Sequence, residues 1–176
     1  MAYADDAPRI PIAALSVEDA GRLHRLADAG LQPRVRLMME ARTHGETTCY
    51  NTLGEIRGRE LPGEIVVAGG HLDSWDAGTG AHDDGAGCLI TLGAVRLLKD
   101  MGLVPRRTLR VVLFTAEEIG GMGGRAYRDT HADELPRHVA ALECDSGAFP
   151  LRGFSVQAPA PVIARVRQLA AGVVDL

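Results

Sequence analysis

Glu64-Ile-Val-Val-Ala-Gly-Gly-His-Leu-Asp73 is a short apolar run that ends in two glycines, a histidine and an aspartate. Residues 64–68 read as a strand buried on both faces. A glycine-rich loop follows, from Gly69 to Gly87. Cys88 to Met101 then reads as a helix. Leu89, Leu92, Val95 and Leu98 fall at helical spacing, Gly102 closes the helix, and Pro105 prevents its return. Thr108–Thr115 is a second strand, Gly120–Thr130 a helix opened by a glycine turn, and Val139–Cys144 a third strand. Phe154–Gln157 reads as a fourth strand and Pro161–Ala171 as a helix. This alternation predicts an α/β fold with a mostly parallel or mixed sheet and helices on both faces.

Upstream the rhythm differs. Ser16 is placed to cap a helix, with Asp19 in its first turn, Leu23 and Leu26 on its apolar side and Gly30 at its end. Arg34–Glu40 and Thr47–Arg57 read as strands, and Gly58–Gly63 as a turn. The first 45 or so residues therefore form a separate lobe or insertion, and residues 46–176 carry the α/β pattern.

The 176 residues suffice for one ordinary domain, and 46% hydrophobic with 24% charged residues is a globular mixture. A net charge of −4 argues against a nucleic-acid partner, which needs clustered Lys and Arg. No stretch is long enough to span a membrane. Cys49, Cys88 and Cys144 fit neither a zinc ribbon nor a redox pair and are expected to be reduced, buried small hydrophobes. The opening Met1-Ala-Tyr-Ala-Asp-Asp has no signal-peptide pattern, which taken literally means a cytosolic product.

Function is suggested by where the acidic residues fall. The first strand ends in Gly70-His71-Leu72-Asp73, the second in Ala116-Glu117-Glu118, and the third in Glu143-Cys144-Asp145. A fourth cluster, His82-Asp83-Asp84-Gly85, opens the helix after the first strand. Ligands of open α/β sheets bind beyond the carboxyl ends of the strands, so parallel neighbours would bring these clusters to one rim. Carboxylates gathered there repel one another unless a cation lies among them. One imidazole with several carboxylates suits Zn²⁺, with Mn²⁺ or Co²⁺ as alternatives. Asp73 can hold the second N–H of His71, directly or by supporting the neighbouring loop. Of Glu117 and Glu118, one can ligate while the other faces a water and shuttles its proton. His24, His44, His131 and His138 read as surface or helix-end residues, and His82 as an exposed loop residue. Trp75 and Asp76 either shape a pocket wall or pack the loop. Arg125 and Tyr127 lie either near the pocket or on the helix surface.

Gly70-His-Leu-Asp-Ser-Trp-Asp76, Gly80-Ala-His-Asp-Asp-Gly85, Thr115-Ala-Glu-Glu118 and Leu142-Glu-Cys-Asp145 together resemble the M28 metallopeptidases, over about Ile10 to about Ala158. The resemblance implies a zinc-exopeptidase fold and two zinc ions bridged by a carboxylate and a water. By position His71 and Asp145 match ligands of the first metal, Asp83 the bridging ligand, Glu118 the carboxylate of the second metal, and Glu117 the general base. Asp73 joins Glu117 in the catalytic group. The Asp83–Asp84 peptide bond is expected to be cis. Residues 1–45 resemble the end of a protease-associated insertion domain with its return segment.

The family's second metal also takes a His several dozen residues after the match to Asp145, whereas this sequence has no His after His138. The expectation is thus a chain that lacks both ends of the family pattern, with an impaired second site and weak or absent activity. The substrate expected is a dipeptide or the end of a short peptide, and the resemblance implies secretion or a periplasmic location. A homodimer or a complementing chain is the protein partner such a sequence would take. Two alternatives stand beside this reading: a glutaminyl-cyclase-like enzyme with one zinc, and a non-catalytic gene piece.

Overall fold

A computed structural model of the chain describes residues 10–40, 42, 44–145, 148, 150 and 153–174. The chain divides into two compact units, Met1–Thr48 and Cys49–Leu176. In the first unit, helix α1 (Val17–Asp28) starts where Ser16 Oγ accepts the amide of Asp19 at 3.1 Å. Gly30, at φ 76°, takes the left-handed conformation just past its end. The strand expected over Arg34–Glu40 is not formed. Val35, Leu37 and Met39 alternate as a strand would, yet all are exposed and pair with no ladder among the described residues. Alternation alone does not supply the partner that a strand needs.

The second unit holds a four-stranded sheet, ordered β1-β3-β2-β4. Its strands are β1 (Thr52–Ile56), β2 (Leu61–His71), β3 (Arg107–Phe114) and β4 (His138–Glu143). β2 lies parallel to both β3 and β4, while β1 pairs antiparallel to β3. The sheet is thus mixed and mostly parallel, as expected. β1 is shorter than the expected Thr47–Arg57 run, and β2 begins within the stretch read as a turn. Gly58 permits that early start, since a Cβ there would lie 2.5 Å from the carbonyl carbon of Arg107. Phe154–Gln157 forms no strand; Phe154 and Val156 alternate as a strand would, but no ladder among the described residues pairs with them.

Helix α2 (Gly85–Asp100) follows β2, α3 (Met122–Thr130) follows β3, and α4 (Ala160–Val174) comes last. The two central helices cover opposite faces of the sheet. Cys88 and Val95 of α2 pack with Val111 and Leu113, whereas Tyr127 of α3 packs with Ile65, Val67, Val112 and Phe114. The period-2 alternation of β3 therefore feeds both cores. The chain leaves β2 for β3 on one side and then crosses to β4 on the other. The carboxyl end of β2 is thus the topological switch point, where open α/β sheets form their ligand crevice. No helix among the described residues is long and apolar enough to cross a membrane. All three cysteines are free, but only Cys88 is buried; Cys144 is half-buried and Cys49 exposed.

Asn51, just before β1, ties the loop after β3 to α3. Its Nδ2 donates to the Gly123 carbonyl at 2.8 Å, and its Oδ1 accepts the Thr115 amide at 3.0 Å. Removing both bonds in Asn51→Ala is expected to cost about 2 kcal/mol. Urea unfolding measures this, and a loss below about 0.5 kcal/mol would show that the bridge contributes little.

Candidate metal centre

His71 is the last residue of β2 and is 1% exposed. Its Nδ1 lies 2.9 Å from the backbone carbonyl of Asp73. A carbonyl only accepts, so Nδ1 carries a proton and Nε2 is the ring nitrogen left for other partners. That Nε2 faces Asp83 Oδ1 at 3.1 Å and Asp145 Oδ1 at 3.2 Å. Two carboxylates thus approach the same ring nitrogen, and ligand atoms of His71, Asp83 and Glu118 form one cluster and those of His71, Asp84 and Asp145 another, each within 4.8 Å. Burial pulls the His71 imidazole down, but the Asp73 carbonyl and the Asp145 and Asp84 carboxylates outweigh it and hold it above its ordinary value. Glu118 is also raised, first by burial and then by the charges of Asp83, Glu117 and Asp73. Its carboxylate lies within 4.8 Å of ligand atoms of both His71 and Asp83.

The donors suit a small divalent cation. A tetrahedron with arms of about 2.0–2.2 Å has edges of about 3.3–3.6 Å, close to the 3.1 and 3.2 Å separations around Nε2. One imidazole nitrogen with carboxylate oxygens is a borderline-to-hard set, which zinc accepts.

The loops are held by neighbouring residues, one of which, Asp84, also lies within 4.8 Å of ligand atoms of His71 and Asp145. Asp84 is fully buried, is the N-cap of α2, and follows Asp83 through a cis peptide bond. Its Oδ2 accepts the His71 amide at 2.9 Å and its Oδ1 the Gly87 amide at 3.0 Å. Burial raises its pKa and these two amides oppose that rise. Glycines make the close approach possible. A Cβ on Gly70 would sit 2.3 Å from Asp84 Oδ2, and one on Gly87 would sit 1.7 Å from the Cys144 carbonyl oxygen.

Asp73 settles the choice left open by the sequence. Its backbone carbonyl, not its carboxylate, holds the His71 ring; the nearest carboxylate oxygen is 3.6 Å from Nδ1. The carboxylate instead accepts two successive amides, Glu117 at 3.0 Å and Glu118 at 3.1 Å. It clamps a turn in which Ala116 is forced to φ 53°, a conformation that non-glycine residues rarely adopt.

The structure therefore brings His71, Asp83, Glu118 and Asp145 to the switch point, with Glu117 on the turn that Asp73 clamps. His82, Trp75, Asp76 and Arg125 are exposed. Tyr127 is buried beneath the opposite part of the sheet, neither at the rim nor on the helix surface. His131 and His138 are half-buried against Tyr127 and are not simple surface residues. Asp84 as an anchor was legible only as a helix cap. Asn51 gave no sequence signal at all, because its partners are 64 and 72 positions away.

Comparison with known proteins gives the family. The profile described as peptidase family M28 matches residues 51–174. Carboxypeptidase Q of Rattus norvegicus is 46% identical over 147 residues, which is 84% of this chain and 31% of the relative. Among solved structures, the peptidase M28 precursor of Shewanella amazonensis superposes with a TM-score of 0.74 at 37% identity, covering 97% of this chain and 39% of that one. A zinc aminopeptidase of Bacillus subtilis superposes with a TM-score of 0.57 at 27% identity, covering 70% of this chain and 32% of that one. The chain thus spans about a third of the length of the curated relatives it matches.

Proposed function

The chain belongs to peptidase family M28, and from that premise we propose that it is the metal-binding part of a zinc-dependent exopeptidase acting on dipeptides or the ends of short peptides. The observation that carries this reading is the Nε2 of His71 set beside two carboxylate oxygens. His71, Asp83 and Asp145 would hold one zinc, and Asp83 with Glu118 would hold a second. Among the described residues the first ion would thus have three protein ligands and the second two.

Bound there, zinc supplies Lewis acidity, which acidifies a water and polarises a scissile carbonyl. The residues do the rest. Asp73 fixes the backbone of Glu117. Glu117 takes a proton from the attacking water and returns it to the departing amine. No side chain becomes covalently attached to the substrate. The fully buried Asp84 holds the base of the site in place and excludes water from beneath it.

Incubating the zinc-loaded chain with a dipeptide and, separately, with an N-terminal glutaminyl peptide tests this. Free amino acids from the dipeptide are expected. Cyclised product from the second peptide, with the dipeptide intact, would replace the peptidase reading with a cyclase.

A further inference from the structure

β4 contains an irregularity rarely seen between parallel strands. Ile65 pairs with His138, but the next residue, Val66, pairs with Ala140, so Val139 is an extra residue in β4. Beyond it the ladder runs regularly through Val67–Ala141, Ala68–Leu142 and Gly69–Glu143. Continued by two residues, this register sets Asp145 beside His71, in agreement with the 3.2 Å between their side chains. Without the extra residue, Cys144 would stand beside His71 and Asp145 would face the other side of the sheet. A one-residue slip exchanges the faces of every side chain downstream.

The residue before the bulge is pinned at both ring nitrogens. His138 Nδ1 donates to the Glu134 carbonyl at 2.9 Å, and Nε2 accepts from the Tyr127 hydroxyl at 2.8 Å. Tyr127 is buried and itself accepts from Arg110 Nη1 at 2.9 Å. Arg110 is held by Glu134 at 2.7 Å and Glu55 at 2.6 Å. Burial works against its charge, and those contacts outweigh burial and keep it firmly protonated. His138 is thus locked onto the face of the sheet that α3 covers. His138 and Asp145 are an odd number of residues apart, so both can occupy that face only if one residue is bulged out.

We propose that His138, anchored by Tyr127 and Arg110, is a positioning residue that imposes the bulge at Val139 and thereby aims Asp145 at His71. This rests on the metal reading above, but its register claim can be measured without metal. In His138→Leu the bulge relaxes, Gly69 pairs with Leu142 in place of Glu143, and affinity for Co²⁺ falls about 10- to 100-fold, the usual cost of losing a residue that supports a ligand. Deleting Val139 in the same variant restores the downstream register with no bulge, and Co²⁺ affinity returns to within about threefold of the wild type. His138→Gln, whose amide oxygen can accept from Tyr127, keeps the wild-type behaviour.

Cross-strand proton contacts by NMR read the register, and the visible absorption of bound Co²⁺ reads the affinity. General destabilisation predicts the opposite for the deletion, a further loss. Unchanged pairing at Gly69 in His138→Leu overturns the proposal, as does a deletion that fails to rescue. Should His138→Leu not fold, Tyr127→Phe keeps the packed ring and carries the same expectations at smaller amplitude. Wild-type protein that binds no Co²⁺ sinks the metal reading, while the pairing at Gly69 still decides the register.

Discussion

Asp83→Ala is expected to abolish the second zinc and to weaken the first on the order of a thousandfold, about 4 kcal/mol. Removing a residue that only supports a ligand typically costs about 10- to 100-fold, and a shared direct ligand should cost more. Among the described residues, Asp83 is a carboxylate grouped with both His71 and Glu118. The metal-free protein should respond with the opposite sign. Asp83 is 59% exposed at its side chain, and its charge raises the pKa of Glu118. Deleting it relieves repulsion and removes no packing, so the apo variant should melt at or above the wild type. Zinc should then raise the melting temperature of the wild type and leave the variant unmoved. Elemental analysis with thermal melts in zinc and in chelator reads both signs. An Asp83→Ala protein that retains two zinc ions would remove this residue from the site.

Glu117→Gln should lower the rate of dipeptide hydrolysis about 10²- to 10⁴-fold while leaving zinc content unchanged. Gln has the same shape, and the Glu117 amide stays clamped by Asp73, so the backbone turn is preserved. What is lost is the ability to accept and return a proton. The neighbouring Glu118→Gln should show the reverse pattern, with weaker binding of the second ion as the primary effect. The contrast follows from placement: Glu118 lies within reach of His71 and Asp83, and Glu117 is the adjoining residue on the same turn. Equal zinc loss in both variants would mean that the two carboxylates do not divide these tasks.

Three members of the candidate ligand cluster were legible because they sit at or just past the ends of apolar strands. His71, Glu118 and Asp145 terminate β2, β3 and β4 or follow them within a few residues. Asp83 was legible from its place just before α2. The sequence also gave the alternation that puts α2 and α3 on opposite faces. It could not give the bulge at Val139, which depends on bonds from His138 to two residues that no periodicity links to it. The same blindness made His138 look like a surface residue. Arg34–Glu40 misled for a related reason. Its alternation matches a strand, but pairing is a property of a partner, and none is present among the described residues. The sequence left open how Asp73 acts on His71; in the structure its carbonyl lies against the ring while its carboxylate accepts the amides of the turn.

Crystals of the zinc-soaked protein, with anomalous data collected at the zinc edge, offer the most direct check. A strong peak bonded to His71 Nε2, Asp83 and Asp145 at about 2.0–2.2 Å is expected, with a weaker second peak between Asp83 and Glu118. Zinc found elsewhere, with His71, Asp83 and Asp145 still hydrogen-bonded among themselves, would contradict the account.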